Sequence, residues 1–293
     1  MSSTVLLVHG IWNHAPGFGP DEAARLKAER ALPHLMRGFA AAGLATVPAP
    51  GVAVAYYADL LRPDTPPEAQ AADGEPGFEV LSGDERDLVA RWLGAAGAPA
   101  PAEPQNVALA PLRQILGWLV DDRCGGVGQR VRAATARQLE RVTVAVLREV
   151  RAYQSRPGRR ERVRERVAAV VRAERPRVIV AHSLGSLVAY ETLHAYPELE
   201  VDQLVTLGSP LRLPALARRL DPGLRGGRGA RPPGVRHWTN IADIGDLVAV
   251  PPKLSEVFPV DQDETVDTGL DFHGLHAYLA HGLTALAIAP YLP

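Results

Sequence analysis

Cysteine is nearly missing from this chain, and its scarcity is the first constraint. Cys124 stands alone among 293 residues, so no intrachain disulfide can form and no cysteine cluster can bind a metal. An excess of either charge is missing too. Thirty-two Lys and Arg face 33 Asp and Glu, which removes any global electrostatic case for nucleic acid or an anionic membrane as partner. Long apolar runs are also missing. The opening MSSTVLLVHG has no positive n-region and only the short run Val5 to Val8 before His9, too little for a signal peptide or a membrane span, so a cytoplasmic location is expected. Nine histidines occur, but neither His9 with His14 nor His273 with His276 belongs to an H-E-x-x-H pattern. No G-x-x-x-x-G-K-[ST] loop is present, and Gly223 to Gly229 follows no buried strand. We therefore expect no metal and no cofactor.

What is present suits a single α/β domain. Apolar residues make up 46% of the chain and charged residues 22%, enough to build a large core. Short runs rich in β-branched and apolar residues predict strands at Val5–Val8, Val52–Tyr57, Arg177–Ala181, Gln203–Leu207 and Val235–Ile241, with a further short strand at Glu264–Asp267. Helical patterns alternate with them: Asp21–Ala42, which Pro33 should kink or divide, the Val131 to Val150 stripe, the Val163 to Val170 stripe, Ser186–Ala195, and Gly274–Ala289. Such alternation predicts a doubly wound, mostly parallel sheet with helices on both faces. The arginines from Arg156 to Arg177 are interspersed with Glu161, Glu165 and Glu174, which reads as a solvated helix face and not as a nucleic-acid patch. Residues 60–128 differ in texture. Prolines and the tract AAGAPAPAEP interrupt them, yet they carry Trp92, Ile115, Leu116, Trp118, Leu119 and Val120. A cap or lid insertion accounts for that apolar bulk; helices simply packed on the body are the plainer account.

The chemistry-bearing string is Ala181-His182-Ser183-Leu184-Gly185. It approximates the nucleophile elbow G-x-S-x-G, a sharp turn from strand to helix that raises a serine hydroxyl above the sheet. Here it lies between a strong strand candidate and an immediate helix, the context that the elbow requires; elsewhere the same serine would merely cap a helix. A serine hydroxyl needs a base, and the base an orienting acid. Asp243 and Asp246 follow the Val235–Ile241 strand, and His273 and His276 come later, which preserves the order serine, acid, histidine. The amides of Leu184, after the serine, and of Ile11, after His9-Gly10, are candidate oxyanion donors. His9 itself reads as a buried residue steadying its loop.

Together, Val5-Leu-Leu-Val-His-Gly-Ile11, the elbow, Val205-Thr-Leu-Gly-Ser-Pro210, Asp246-Leu-Val-Ala249 and His273-Gly-Leu-His-Ala-Tyr-Leu279 resemble the α/β-hydrolase superfamily, more narrowly its lipase-like and GPI-inositol-deacylase-like bacterial members. The resemblance implies that Ser183, Asp246 and His273 act as nucleophile, acid and base, with Asp243 and His276 as runners-up. It leaves residues 60–128 without a match. Two departures stand out: Ala181 where glycine is commoner, and no antiparallel strands ahead of the HG strand, which implies a minimal sheet. The activity implied is cleavage of a carboxylic ester, with an apolar acyl group, through an acyl-serine. An acyltransferase or thioesterase using the same residues, and a non-catalytic binding protein on the same scaffold, are the alternatives. Oligomeric state stays open.

His273 is preferred to His276 on its expected position. If Asp271 caps the Gly274–Ala289 helix, His273 falls in the first turn, where the helix dipole keeps imidazole neutral. His276 would then lie deeper, beside a buried stripe of Leu275, Leu279, Leu283 and Leu286.

Overall fold

The computed structural model describes residues 4–61, 77–96, 116, 129–154, 156–269 and 271–292. Six parallel strands form one sheet: β1 (Thr4–Val8), β2 (Gly51–Ala55), β3 (Val178–His182), β4 (Val201–Leu207), β5 (Val235–Asp243) and β6 (Gln262–Val266), in the order β2-β1-β3-β4-β5-β6. Alternation of side chains across the pleat explains the two cores. In β1 and β3, Leu6, Val8, Ile179 and Ala181 face one apolar cluster, while Val5, Leu7, Val178 and Val180 face another. Each cluster needs a cover. Helices α3 (Gln129–Gln154), α4 (Pro157–Glu174) and α5 (Leu184–Ala195) cover the first through Val146, Val167 and Leu187; α1 (Pro20–Ala41), α7 (Leu275–Ala280) and α8 (Gly282–Ile288) cover the second through Leu35, Tyr278 and Ile288, and the one-turn α6 (Pro214–Ala217) follows β4. The fold is therefore a doubly wound α/β sandwich.

The strand order places a switch point between β1 and β3, because the chain runs outward from β1 to β2 and then returns to the other side of β1. Loops leaving neighbouring strands diverge there and open a crevice at the carboxyl ends of the strands. Gly10 and Ser183 occupy that point.

Several expectations need correction. Pro33 neither divides α1 nor ends it; the helix runs through, with Ala31, Leu35 and Phe39 buried against the sheet on both sides of the proline. The last strand spans Gln262–Val266, and Val52–Tyr57 is strand only to Ala55, with Tyr56 and Tyr57 buried beyond its end. The single helix expected over Gly274–Ala289 is two helices broken at His281, which is extended (φ −82°, ψ 137°) and whose Nδ1 accepts from the Leu283 amide at 3.2 Å. Close packing explains the break. A Cβ on Gly38 of α1 would lie 2.4 Å from the Leu279 carbonyl oxygen, so the chain turns where it meets α1. As a result Leu286, assigned to the buried stripe, is 49% exposed.

The arginine run is a set of ion pairs more than a bare solvated face. Arg160 and Arg164 both pair with Glu191, which is fully buried on α5, and Arg172 and Arg177 pair with Glu198 and Asp202. A carboxylate buried that deeply is tolerated only with such partners.

Of the 60–128 segment, helix α2 (Gly83–Ala95) begins with a capping box between Ser82 and Glu85 and buries Val89, Trp92 and Leu93. Val89 and Leu93 join Phe78, Leu81, Leu116, Leu139, Val144 and Leu147 in a third apolar cluster, which also takes in Leu247 of the loop after β5, while Trp92 belongs to the first. Ile115, Trp118, Leu119 and Val120 lie outside the described residues. Among the described residues no helix is long and apolar enough to cross a membrane.

Candidate active site

Strand β3 ends at His182 and α5 begins at Leu184, leaving Ser183 alone to make the turn. It does so at φ 53°, ψ −128°, a conformation that costs a non-glycine residue of order 1–3 kcal/mol. Its own N–H is secured by the Leu207 carbonyl on β4 at 3.0 Å. Glycine two residues later is a steric requirement, since a Cβ at Gly185 would lie 2.2 Å from the Val8 carbonyl oxygen. At the other small position alanine suffices: Ala181 is fully buried in the core cluster opposite Val8. The loop after β1 approaches just as closely, because a Cβ on Gly10 would lie 2.7 Å from that of Ser183.

Three side chains meet at this turn. His273 Nε2 lies 2.8 Å from Ser183 Oγ, and its Nδ1 lies 2.8 Å from Asp246 Oδ2. All three residues are buried. Asp246 Oδ1 accepts from the Val248 amide at 2.8 Å, which leaves Oδ2 facing the histidine. The runner-up acid is engaged elsewhere: the Asp243 carboxylate accepts from the Gly245 amide at 2.6 Å and from the Thr268 amide and hydroxyl at 2.5 and 2.9 Å. It ties the loop after β5 to the segment after β6, while burial raises its pKa. His276 is also accounted for. It is exposed and stacks on His34 of α1, with ring centroids 4.0 Å apart, and it makes no contact with the serine that the structure records among the described residues.

His273 meets the serine for a reason other than the one expected. Gly274 is the N-cap of α7 and no side chain caps it, so His273 lies in the loop ahead of the helix and Asp271 does not cap it. Hydrogen bonds hold the loop instead. His182 Nε2 lies 2.9 Å from the His273 carbonyl oxygen; as a carbonyl only accepts, that nitrogen carries the proton. Burial, and after it the neighbouring His273, drives the His182 pKa well below 6.5 and keeps it neutral.

The loop after β1 is equally restrained. His9 Nε2 accepts from the Tyr57 amide at 3.2 Å, its Nδ1 donates to the Gly10 carbonyl at 2.9 Å, and its ring stacks on Tyr57. Burial lowers the pKa of His9 to about 3, so it is a neutral structural residue. Asn13 Nδ2 donates to the Gly10 and Ile11 carbonyls at 3.0 and 2.7 Å, and the Trp12 amide donates to Glu149 of α3 at 2.9 Å. Ile11 and Leu184 belong to one buried cluster beside the serine. Leu184 opens α5, where backbone N–H groups have no partner within the helix.

Two participants were not assigned these roles from the sequence. Tyr278, noted only as part of the His273 to Leu279 string, donates its hydroxyl to Asp246 Oδ2 at 2.8 Å, and Trp92 Nε1 donates to the Leu247 carbonyl at 2.5 Å. Neither has a local sequence signal, because each bond spans segments far apart in the chain. Among the described residues no group of three or more His, Cys, Asp or Glu could hold a metal ion.

No family model, curated protein or solved structure matches this chain.

Proposed function

We propose that this chain is a serine hydrolase of the α/β-hydrolase kind, cleaving a carboxylic ester through an acyl-Ser183 intermediate. One observation carries the reading: the unbroken hydrogen-bonded line from Ser183 Oγ through His273 to Asp246, with 2.8 Å at each step, set on a strained strand-to-helix turn. Stored strain and a serine–imidazole–carboxylate line at one place are what nucleophilic acyl transfer needs.

In this reading His273 Nε2 takes the Ser183 proton as Oγ attacks the ester carbonyl carbon. The resulting oxyanion is stabilised by the Leu184 and Ile11 amides. Asp246 holds Nδ1–H, fixing the tautomer and stabilising the imidazolium. Collapse breaks the carbon–oxygen bond, and His273 passes its proton to the departing alcohol. Water then repeats the sequence on the acyl-enzyme, giving the acid and free Ser183. A cavity of about 90 Å³ lies between α2, α3 and the segment after β4; neither Ser183 nor His273 lines it, but its walls Trp92, Val146 and Leu213 belong to the same apolar cluster as Ile11 and Leu184.

Activity-based labelling tests the reading. A fluorophosphonate probe is expected to label the wild type stoichiometrically at Ser183 and to leave Ser183→Ala unlabelled. Ester turnover should fall about 10⁴- to 10⁶-fold in Ser183→Ala while its thermal midpoint holds. A folded wild type that is neither labelled nor active on a chain-length series of esters would falsify the proposal.

A further inference from the structure

We propose that Tyr278 is a positioning residue that sets how Asp246 faces His273 and how strongly it holds the protonated ring. The inference rests on the acyl-serine reading above and goes beyond it. Tyr278 is fully buried on α7, and its hydroxyl oxygen lies 2.7 Å from the Asp243 backbone nitrogen and 2.8 Å from Asp246 Oδ2. A backbone N–H can only donate, so the phenol oxygen accepts from Asp243 and its single proton is left for the carboxylate. The fold thereby decides the direction of the bond. Burial, and next the charge of Asp246, raises the Tyr278 pKa well above 10, so the hydroxyl remains a donor wherever an ester enzyme would work.

Asp246 Oδ2 consequently receives two donors, His273 Nδ1–H and the Tyr278 hydroxyl, while Oδ1 receives the Val248 amide. Each donor that shares the carboxylate's charge leaves less of it for the imidazolium formed when Ser183 gives up its proton. The pocket has no slack in which to rearrange. A Cβ at Gly208, itself at φ +55°, would lie 2.6 Å from Asp246 Oδ2, 3.2 Å from Tyr278 Cε2 and 3.3 Å from His273 Nδ1. The groups facing the His273 ring are Asp246 from the loop after β5, Ser183 and neutral His182 from the elbow, and Tyr278 from α7, with Asp243 and Thr268 behind the phenol. Removing the phenol proton should therefore strengthen the hold of Asp246 on the charged ring.

The test is Tyr278→Phe in the full chain, measured three ways: kcat/KM for a soluble activated ester against pH, the rate of fluorophosphonate labelling against pH, and the low-field proton resonance of His273 Nδ1–H. The acid limb of both profiles is expected to move to higher pH by about one unit, with a displaced low-field resonance. Profiles and resonance that superimpose on the wild type, with only a lower thermal midpoint, overturn the proposal and leave Tyr278 a packing residue. If Tyr278→Phe does not fold, 3-fluorotyrosine at position 278 replaces it. That phenol is the stronger donor, so the limb is expected to move to lower pH, and an unmoved limb overturns the proposal. Should the wild type be inert to ester and probe alike, the acyl-serine reading falls; the resonance then decides on Tyr278 by itself, displacement supporting it and coincidence overturning it.

Discussion

Around Ser183 the geometry is made by backbone: a one-residue turn, Gly185 against the Val8 carbonyl, and Gly10 against the serine itself. Around His273 it is made by side chains drawn from distant segments, with His182 on the carbonyl, Asp246 on Nδ1, and Tyr278 and Trp92 behind the acid and its loop. The first half depends on atoms that must be missing, the second on donors that must be present. Damage to the first should therefore appear as lost stability, because a backbone clash cannot be relieved locally. Damage to a donor that touches His273 or Asp246 should appear mainly in turnover or pH dependence, because it misdirects a ring without opening the core, whereas loss of the more distant Trp92 donor should register only as a small loss of stability.

The largest effect should lie in the second half. His273→Ala is expected to lose about 10⁴-fold or more in kcat on an activated ester, whereas His276→Ala, which removes only an exposed ring stacked on His34, stays within about twofold. The reverse ranking would transfer the base to His276. Next comes the first half. Gly185→Ala should cost about 3 kcal/mol or more by chemical denaturation, since β1 would have to move, while Gly94→Ala in α2, which meets nothing within 4 Å, should gain about 0.5–1 kcal/mol. Equal behaviour of the two glycines would break the comparison.

Acid should expose a dependence shared by both halves through His9 and His182. The ordinary value for His9 is 6.5 and burial takes it to about 3, so below 6.5 the unfolded chain binds a proton that the folded chain does not. Stability is thus complete above pH 6.5 and falls with pH down to about 3, by roughly 2 kcal/mol at pH 5 from His9 alone. His182 adds loss in the same direction. Urea melts at pH 7 and pH 5 should show a smaller difference for His9→Gln than for the wild type; parallel slopes would remove His9 from the account. The smallest effect is expected at Trp92→Phe, which keeps the apolar ring and deletes the donor to Leu247. It should cost about 1 kcal/mol in stability, and a loss of turnover beyond about tenfold would mean that α2 holds the acid loop far more tightly than one hydrogen bond implies.

Much of this protein was legible locally. Short apolar runs such as Val5–Val8 and Val178–Val180 pair in a parallel sheet because strands buried on both faces need apolar residues at successive positions. The elbow string announced its turn because one residue between strand and helix leaves little conformational choice, and Gly185 is the residue that this close approach requires. The order serine, acid, histidine could be read because each loop follows its own strand. What the sequence could not disclose depends on packing between segments far apart in the chain. Pro33 is expected to kink or divide α1, and the helix is not divided, since residues on either side of the proline are buried against the sheet. The final helix breaks at His281 because its predecessor is pressed against Gly38 of α1, and that break turns Leu286 outward. Asp243 and Asp246 are three residues apart and chemically identical; only the tertiary structure, by giving Thr268 and Gly245 to one and His273 and Tyr278 to the other, separates a loop brace from the carboxylate that faces the histidine. Local sequence determines which conformations are cheap. Which donors reach which acceptors is decided by distances that exist only after the sheet and its helices have packed.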